Sequence, residues 1–310
     1  MKANQKVLKS HQHMINTQTN FHIIGSGAVG SLLALILSNN HQNVLFTDTR
    51  NSLVSDKTVW LTGNLAEHFG DSKSFEFAKP PITQDNCFLL LCTKYSADLI
   101  QNMNPILKAY TEKTPVLLLQ NAYRHARSLR MSFDNPFIVG MLSGLEVFYK
   151  DNSLELASSP FTLTVADSKQ TTIEKLQSAA NSPISKFLHA DNEELVVWKK
   201  LARWIPLSCI TTITMTSVGN ALQLFPRTLL NNLIIEICRF AESETETTFD
   251  HNQILDQLNL LPKKLFTSSM RDRQRNRLPE IKIVMSEIYQ DSIAKNLPSS
   301  AILATLKLLP

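Results

Sequence analysis

The first clear periodic signal lies at Phe21-His22-Ile23-Ile24, a short apolar run that predicts a strand. A polar turn follows it, and then an apolar, helix-forming segment at Ser31–Ser38. A second strand-like run, Val44-Leu45-Phe46-Thr47, comes within the ~30 residues of a βαβ unit. Two unbroken apolar runs, Cys87–Cys92 and Pro115–Gln120, are bounded by polar loops, the pattern of strands covered on both faces in a parallel sheet. Helical stretches are predicted around Ser96–Ala109 and Tyr123–Met131. From Phe137 to Ala166 the pattern changes to short alternating segments split by Asp-Asn-Ser and Ser-Ser-Pro turns, which predicts antiparallel strands finishing a first domain. After Asn181-Ser182-Pro183 no further strand is expected. Glu193–Val218, Thr228–Thr247, Gln253–Leu260, Pro279–Lys295 and Ser299–Leu309 all read as helices, punctuated by Pro206, Pro226, Pro262 and Pro298.

Glycine sharpens this picture. The chain has eight glycines, and three of them fall within Gly25-Ser26-Gly27-Ala28-Val29-Gly30, between the first strand and the first helix. In a strand-GxGxxG-helix arrangement the first Gly allows a tight turn, the second lets a pyrophosphate approach, and the third lets the helix pack closely. The helix N-terminus adds free N–H groups and positive potential. These six residues are therefore the candidate cofactor-binding loop. Asp48 and Arg50, about twenty residues on, end the second strand. Asp48 suits the ribose hydroxyls of NAD, whereas Arg50 suits the 2′-phosphate of NADP, and both readings stay open. The expected class is α/β: a polar lead-in over 1–19, a Rossmann-type dinucleotide-binding domain over 20–186, and a mainly helical domain over 187–310 completing a cleft.

Composition narrows the function classes. Apolar residues make up 43% of the chain and charged residues 19%, which excludes disorder as the main state. A net charge of +4 over 310 residues demands no nucleic-acid surface and fits a small anionic ligand. The longest apolar run, Ala28–Leu37, falls short of the ~20 residues of a membrane span, and the first twenty residues lack the apolar core of a secretory signal. Cys87, Cys92, Cys209 and Cys238 form no CxxC pair and sit in apolar stretches, so a reducing cytoplasm is the expected compartment. The eight histidines show no metal-ligand spacing, and no metal is expected.

A cleft enzyme that transfers hydride needs a proton donor and a substrate anchor. In Trp198-Lys199-Lys200-Leu201 two readings are open: both lysines lie on the solvated surface, or the apolar positions beside them turn one inward, where burial lowers its pKa towards the operating pH. The segment from Lys263 to Lys282 is the most basic, with seven Lys or Arg against two acids. It reads first as a solvated helix face, with the acidic stretch Glu242-Glu244-Glu246 as its counter-charge, and second as an anion site. Glu280 follows Pro279 at a helix start, where an acid suits the dipole.

Taken in order, these residues resemble the 2-dehydropantoate 2-reductase (ketopantoate reductase) family, from about Phe21 to the C-terminal helices. GSGAVG looks like its nucleotide loop, and Leu90-Leu91-Cys92-Thr93-Lys94 is similar to its strand ending in Thr-Lys. Leu119-Gln120-Asn121, Trp198-Lys199-Lys200-Leu201, Ser268-Ser269-Met270 and Pro279-Glu280-Ile281 resemble further motifs of the family. The resemblance implies Lys94 near the nicotinamide and Asn121 positioning cofactor and substrate. It also implies Lys200 as the catalytic acid, Ser269 on the substrate carboxylate, and Glu280 as a catalytic and substrate-holding carboxylate. It implies reduction of ketopantoate to (R)-pantoate with NADPH, NAD not being excluded, and a homodimer is compatible with it.

The chain departs from the family pattern at several positions. Ala122 replaces the Gly expected after Asn121, and Trp204 and Ser208 replace Asn residues one and two turns past Lys200. Ser208 offers a hydroxyl in place of the amide and stands as a substrate-binding candidate. Phe266 replaces another Asn, and the stretch from Ser269 to Glu280 is one residue short. Besides a divergent ketopantoate reductase, two readings are open: a reductase of another 2-keto acid with a more apolar pocket, and a nucleotide-binding protein without turnover.

Overall fold

The computed structural model describes residues 19–47, 56–77, 87–167 and 171–310; the lead-in up to residue 18, and Asp48 and Arg50 with it, lie outside these. The first unit follows the predicted order. Strand β1 (Asn20–Ile24) leads through the glycine loop into helix α1 (Ala28–Asn39) and strand β2 (Asn43–Thr47). Then come β3 (Asp56–Leu61), α2 (Asn64–Phe69), β4 (Ser72–Glu76), β5 (Cys87–Leu91), α3 (Leu99–Leu107), β6 (Val116–Leu118) and α4 (His125–Arg130). They are followed by β7 (Phe137–Ser143), β8 (Glu146–Lys150), β9 (Ser153–Ser158), β10 (Phe161–Ala166), α5 (Thr171–Ala179) and β11 (Ser185–Ala190).

A seven-stranded sheet runs in the order β11-β10-β7-β6-β5-β1-β2, and only the β7–β10 pair is antiparallel. The apolar runs of β5 and β6 have the expected cause. Leu89, Leu91 and Leu118 face a core shared with the helical half, while Phe88, Leu90 and Leu117 face the core around α1. A second sheet, β4-β3-β9-β8, packs on the other side of α1. Sheets on two sides bury α1 continuously from Gly30 to Leu37, which accounts for a helix with hardly a polar stripe.

One expectation is corrected here and another is refined. The segment after Asn181-Ser182-Pro183 does hold a strand: β11 pairs in parallel with β10 from Phe161↔Ser185 to Ala166↔Ala190 and runs across the expected boundary at 186/187. Its sequence, Ser-Lys-Phe-Leu-His-Ala, lies at the sheet edge, where one side needs no apolar cover. The segments from Phe137 to Ala166 pair antiparallel as expected, β7 with β10 and β8 with β9, but not within one sheet. β7 pairs in parallel with β6, and β8 and β9 leave for the second sheet.

The remainder is helical: α6 (Glu193–Thr214), α7 (Val218–Leu224), α8 (Arg227–Thr245), α9 (His251–Leu260), α10 (Ser268–Gln274), α11 (Glu280–Ala294) and α12 (Ser300–Leu308). The expected helix ending at Val218 stops four residues earlier, because Met215 turns left-handed at φ 56° and Ser217 opens α7. Among the described residues no single helix is long and apolar enough to cross a membrane.

The C-terminal helix is held by a buried carboxylate. Glu236 on α8 accepts from the Ser300 hydroxyl and the Ala301 amide at 3.0 Å, and from the Ile302 amide at 2.8 Å. Glu236→Ala leaves these α12 donors without their acceptor, and denaturant unfolding should report a loss of about 2–3 kcal/mol. An unchanged midpoint would show that solvent replaces the cap freely.

Candidate active site

The glycine loop sits where sheet and helix meet. Gly25 has φ +105°, and a Cβ there would come within 2.7 Å of the Thr93 amide at the end of β5. Gly27 opens α1 in extended conformation, with no side-chain cap and no acid in the first turn. A Cβ on Gly27 would meet nothing within 4 Å, and the first α1 amide bonded to the loop is that of Ser31, to the Gly27 carbonyl. The unpaired amides of Ala28, Val29 and Gly30, beside an open ledge, fit a pyrophosphate.

Beside this loop lies a cavity of about 460 Å³ with Val29, Leu119, Asn121 and Lys200 in its wall. Helix α6 contributes Lys200, Arg203, Trp204 and Leu207, a stripe at helical spacing. Trp198 anchors this helix: it is buried against the rings of Tyr123 and Phe240, with centroids 5.3 and 5.2 Å away. Of the paired lysines, Lys199 is exposed and Lys200 faces the cavity. Burial lowers the Lys200 pKa to about 8, with Arg203 adding to the shift and Glu280 opposing it.

Asn121 links two charges. Its Oδ1 accepts from the Lys200 ammonium, and its Nδ2 donates to Glu280 Oε2 at 3.2 Å. Only one amide orientation satisfies an ammonium on one side and a carboxylate on the other. Glu280 Oε1 also accepts from the Tyr95 amide at 2.9 Å. Burial raises the Glu280 pKa, opposed by the Tyr95 amide, Lys94, Asn121 and Lys200. Lys94 is paired with Asp272 on α10. Ala122 is fully buried and is not among the positive-φ residues, so the backbone after Asn121 has no need of glycine.

Lys200, Asn121 and Glu280 thus come together, with Lys94 acting on Glu280 through its charge. Ser208 and Ser269 are not brought to the cavity. Both are fully buried, their hydroxyls have no partner, and the wall is made instead by their neighbours Leu207 and Ser268. The basic segment is a solvated face in part: Lys263, Lys264, Arg275 and Arg277 are exposed, while Arg271 and Arg273 are half-buried. Arg271 pairs with Glu146 at 2.8 Å and lies 3.7 Å from the Phe148 ring centre, and Arg273 and Arg275 donate to backbone carbonyls. Its counter-charge is Glu146 rather than Glu242-Glu244-Glu246; of these Glu244 pairs with Lys295. Asp272 escaped the sequence reading, although a lone acid among four arginines was its signal. Among the described residues no cluster of His, Cys, Asp or Glu could hold a metal ion.

Comparison with known proteins identifies the family and the fold. The family profile of ketopantoate reductase PanE/ApbA matches residues 21–177. The 2-dehydropantoate 2-reductase of Listeria monocytogenes is 20% identical over 283 residues, covering 86% of this chain and 89% of its own. A dimeric ketopantoate reductase from Staphylococcus aureus superposes with a TM-score of 0.75 at 18% identity, over 93% of this chain and 96% of its own. A D-mandelate dehydrogenase bound to NADH and anilino(oxo)acetate superposes with 0.76 at 16% identity, over 94% and 97%. The chain belongs to the ketopantoate reductase PanE/ApbA family of oxidoreductases.

Proposed function

We propose that the protein reduces a 2-keto acid with NAD(P)H, 2-dehydropantoate going to pantoate. The observation that carries this reading is the Lys200–Asn121–Glu280 chain at a cavity whose wall includes Val29 of the glycine loop. When bound, the nicotinamide supplies hydride to the keto carbon. Lys200 stabilises the oxygen as it gains negative charge and donates its proton to it, leaving a hydroxyl and a neutral amine. With its pKa near 8, the ammonium is present at neutral pH yet gives up its proton readily. Asn121 aims the ammonium, and Glu280 holds Asn121 and, once substrate is bound, the hydroxyl end of pantoate. Arg203 and Ser268 stand in the wall for the carboxylate.

A second reading rests on the wall itself. Trp204 and Phe266 stand where the family pattern has amides, and Leu145, Val147, Leu258 and Leu265 continue an apolar surface. Such a wall favours a 2-keto acid with a larger apolar side chain. The test is the fall in NADPH absorbance, with NADH in parallel, against 2-dehydropantoate, 2-ketoisocaproate and phenylglyoxylate. Ketopantoate turning over best supports the first reading. A kcat/KM higher by roughly tenfold or more for the apolar acids supports the second. Dinucleotide binding without oxidation by any of them overturns both.

A further inference from the structure

The glycine loop offers an anion partial charges from amides and a helix end; the small sheet adds a full one. Strand β3 carries Lys57 onto the loop, where its ammonium donates to the Ser26 carbonyl and lies 3.4 Å from Ser31 Oγ. Two aromatic rings flank it, with the Tyr149 centre 4.9 Å and the Phe46 centre 5.9 Å from the nitrogen. The Tyr149 hydroxyl in turn donates to Ser31 Oγ at 2.7 Å, so β3 and β8 both close on the first turn of α1. The loop and the first turn of α1 contain no basic residue of their own.

We propose that Lys57 is a cofactor-binding residue, its ammonium holding a phosphate group of the dinucleotide taken by the glycine loop. This rests on the dinucleotide reading of that loop. A flexible four-carbon stem lets the ammonium reach a phosphate oxygen beside the loop, and a charge-assisted bond of this kind is about twice as strong as one between neutral groups. The phosphate is either the pyrophosphate, common to NADH and NADPH, or the 2′-phosphate, present in NADPH alone.

Nicotinamide fluorescence titration separates these sources. Lys57→Gln keeps a donor for the Ser26 carbonyl and removes the charge, while Lys57→Arg keeps both. Loss of about tenfold or more in affinity for Lys57→Gln, with Lys57→Arg near the wild type, is expected. Equal loss with both dinucleotides assigns the pyrophosphate; loss with NADPH alone assigns the 2′-phosphate. Unchanged affinities in Lys57→Gln overturn the role of Lys57 and leave the dinucleotide site standing, whereas a wild type that binds neither dinucleotide removes both. In the unsubstituted protein, bound dinucleotide should shield Lys57 from amine acylation, read by peptide mass spectrometry. Undiminished labelling also overturns the assignment.

Discussion

Lys200→Met should lower kcat by about 10³-fold or more while leaving dinucleotide affinity close to that of the wild type, because it removes a proton donor and a positive charge from the developing oxyanion. Methionine nearly matches the length of the stem and packs in the same slot, so the loss is one of chemistry. The pH profile gives a second readout. Only the protonated amine donates, so kcat should fall as pH rises through about 8, and this limb should vanish in the variant. Stability should move the other way. Lys200 gives up its proton near pH 8 in the folded chain, against an ordinary value near 10.5. Between those values the unfolded chain binds more protons, so this residue's contribution to stability rises with pH. At neutral pH Lys200→Met should therefore melt above the wild type, and the gap should close towards pH 10.5. Unchanged turnover in the variant would remove Lys200 from the reaction.

Those elements whose cause is local were legible in the sequence. The βαβ unit shows because a strand, a glycine turn and an apolar helix are each written in adjacent residues. The runs at Leu89–Leu91 and Leu117–Leu118 show because two covered faces erase the period of two. β3, β4 and β11 escaped notice: each has polar positions that a sheet edge or a small exposed sheet tolerates, so partner strands rather than periodicity define them. The site divides along the same line. Asn121, Lys200 and Glu280 sit in short motifs: the helical pattern marks the Lys199-Lys200 pair and Pro279 marks Glu280 at a helix start, while Asn121 and the roles of all three come from the family resemblance. That they meet depends on β5, β6, α6 and α11 converging, with 79 residues separating Asn121 from Lys200 and 159 separating it from Glu280. Ser269 against Ser268 is a question of helix phase. The motif marks the pair, and only the packing of α10 on α6 decides which hydroxyl faces the cavity.

Gly27→Trp should leave the fold intact and abolish dinucleotide binding, weakening it by about 100-fold or more, since the indole would occupy the ledge where the pyrophosphate meets the amides of α1. Gly27 is in the extended region with φ −73°, and its Cβ direction is open for 4 Å, so the free protein has no clash to relieve and its melting temperature should stay near the wild type. Gly30→Ala is the opposite case. Its Cβ would fall 2.1 Å from the Gly25 carbonyl oxygen, 3.0 Å from Ile23 Cγ2 and 3.3 Å from Cys92 Cβ. A backbone oxygen on a turn already held at φ +105° has nowhere to retreat, so α1 must move away from β1. Overpacking of this kind should take about 1–3 kcal/mol from stability and lower affinity together with it. Calorimetry and nicotinamide fluorescence on the two variants thus separate a glycine that leaves room for the ligand from one that leaves room for the helix. If Gly27→Trp binds NADPH normally, the open ledge is not where the pyrophosphate lies, and the anion must approach α1 from the side of β3.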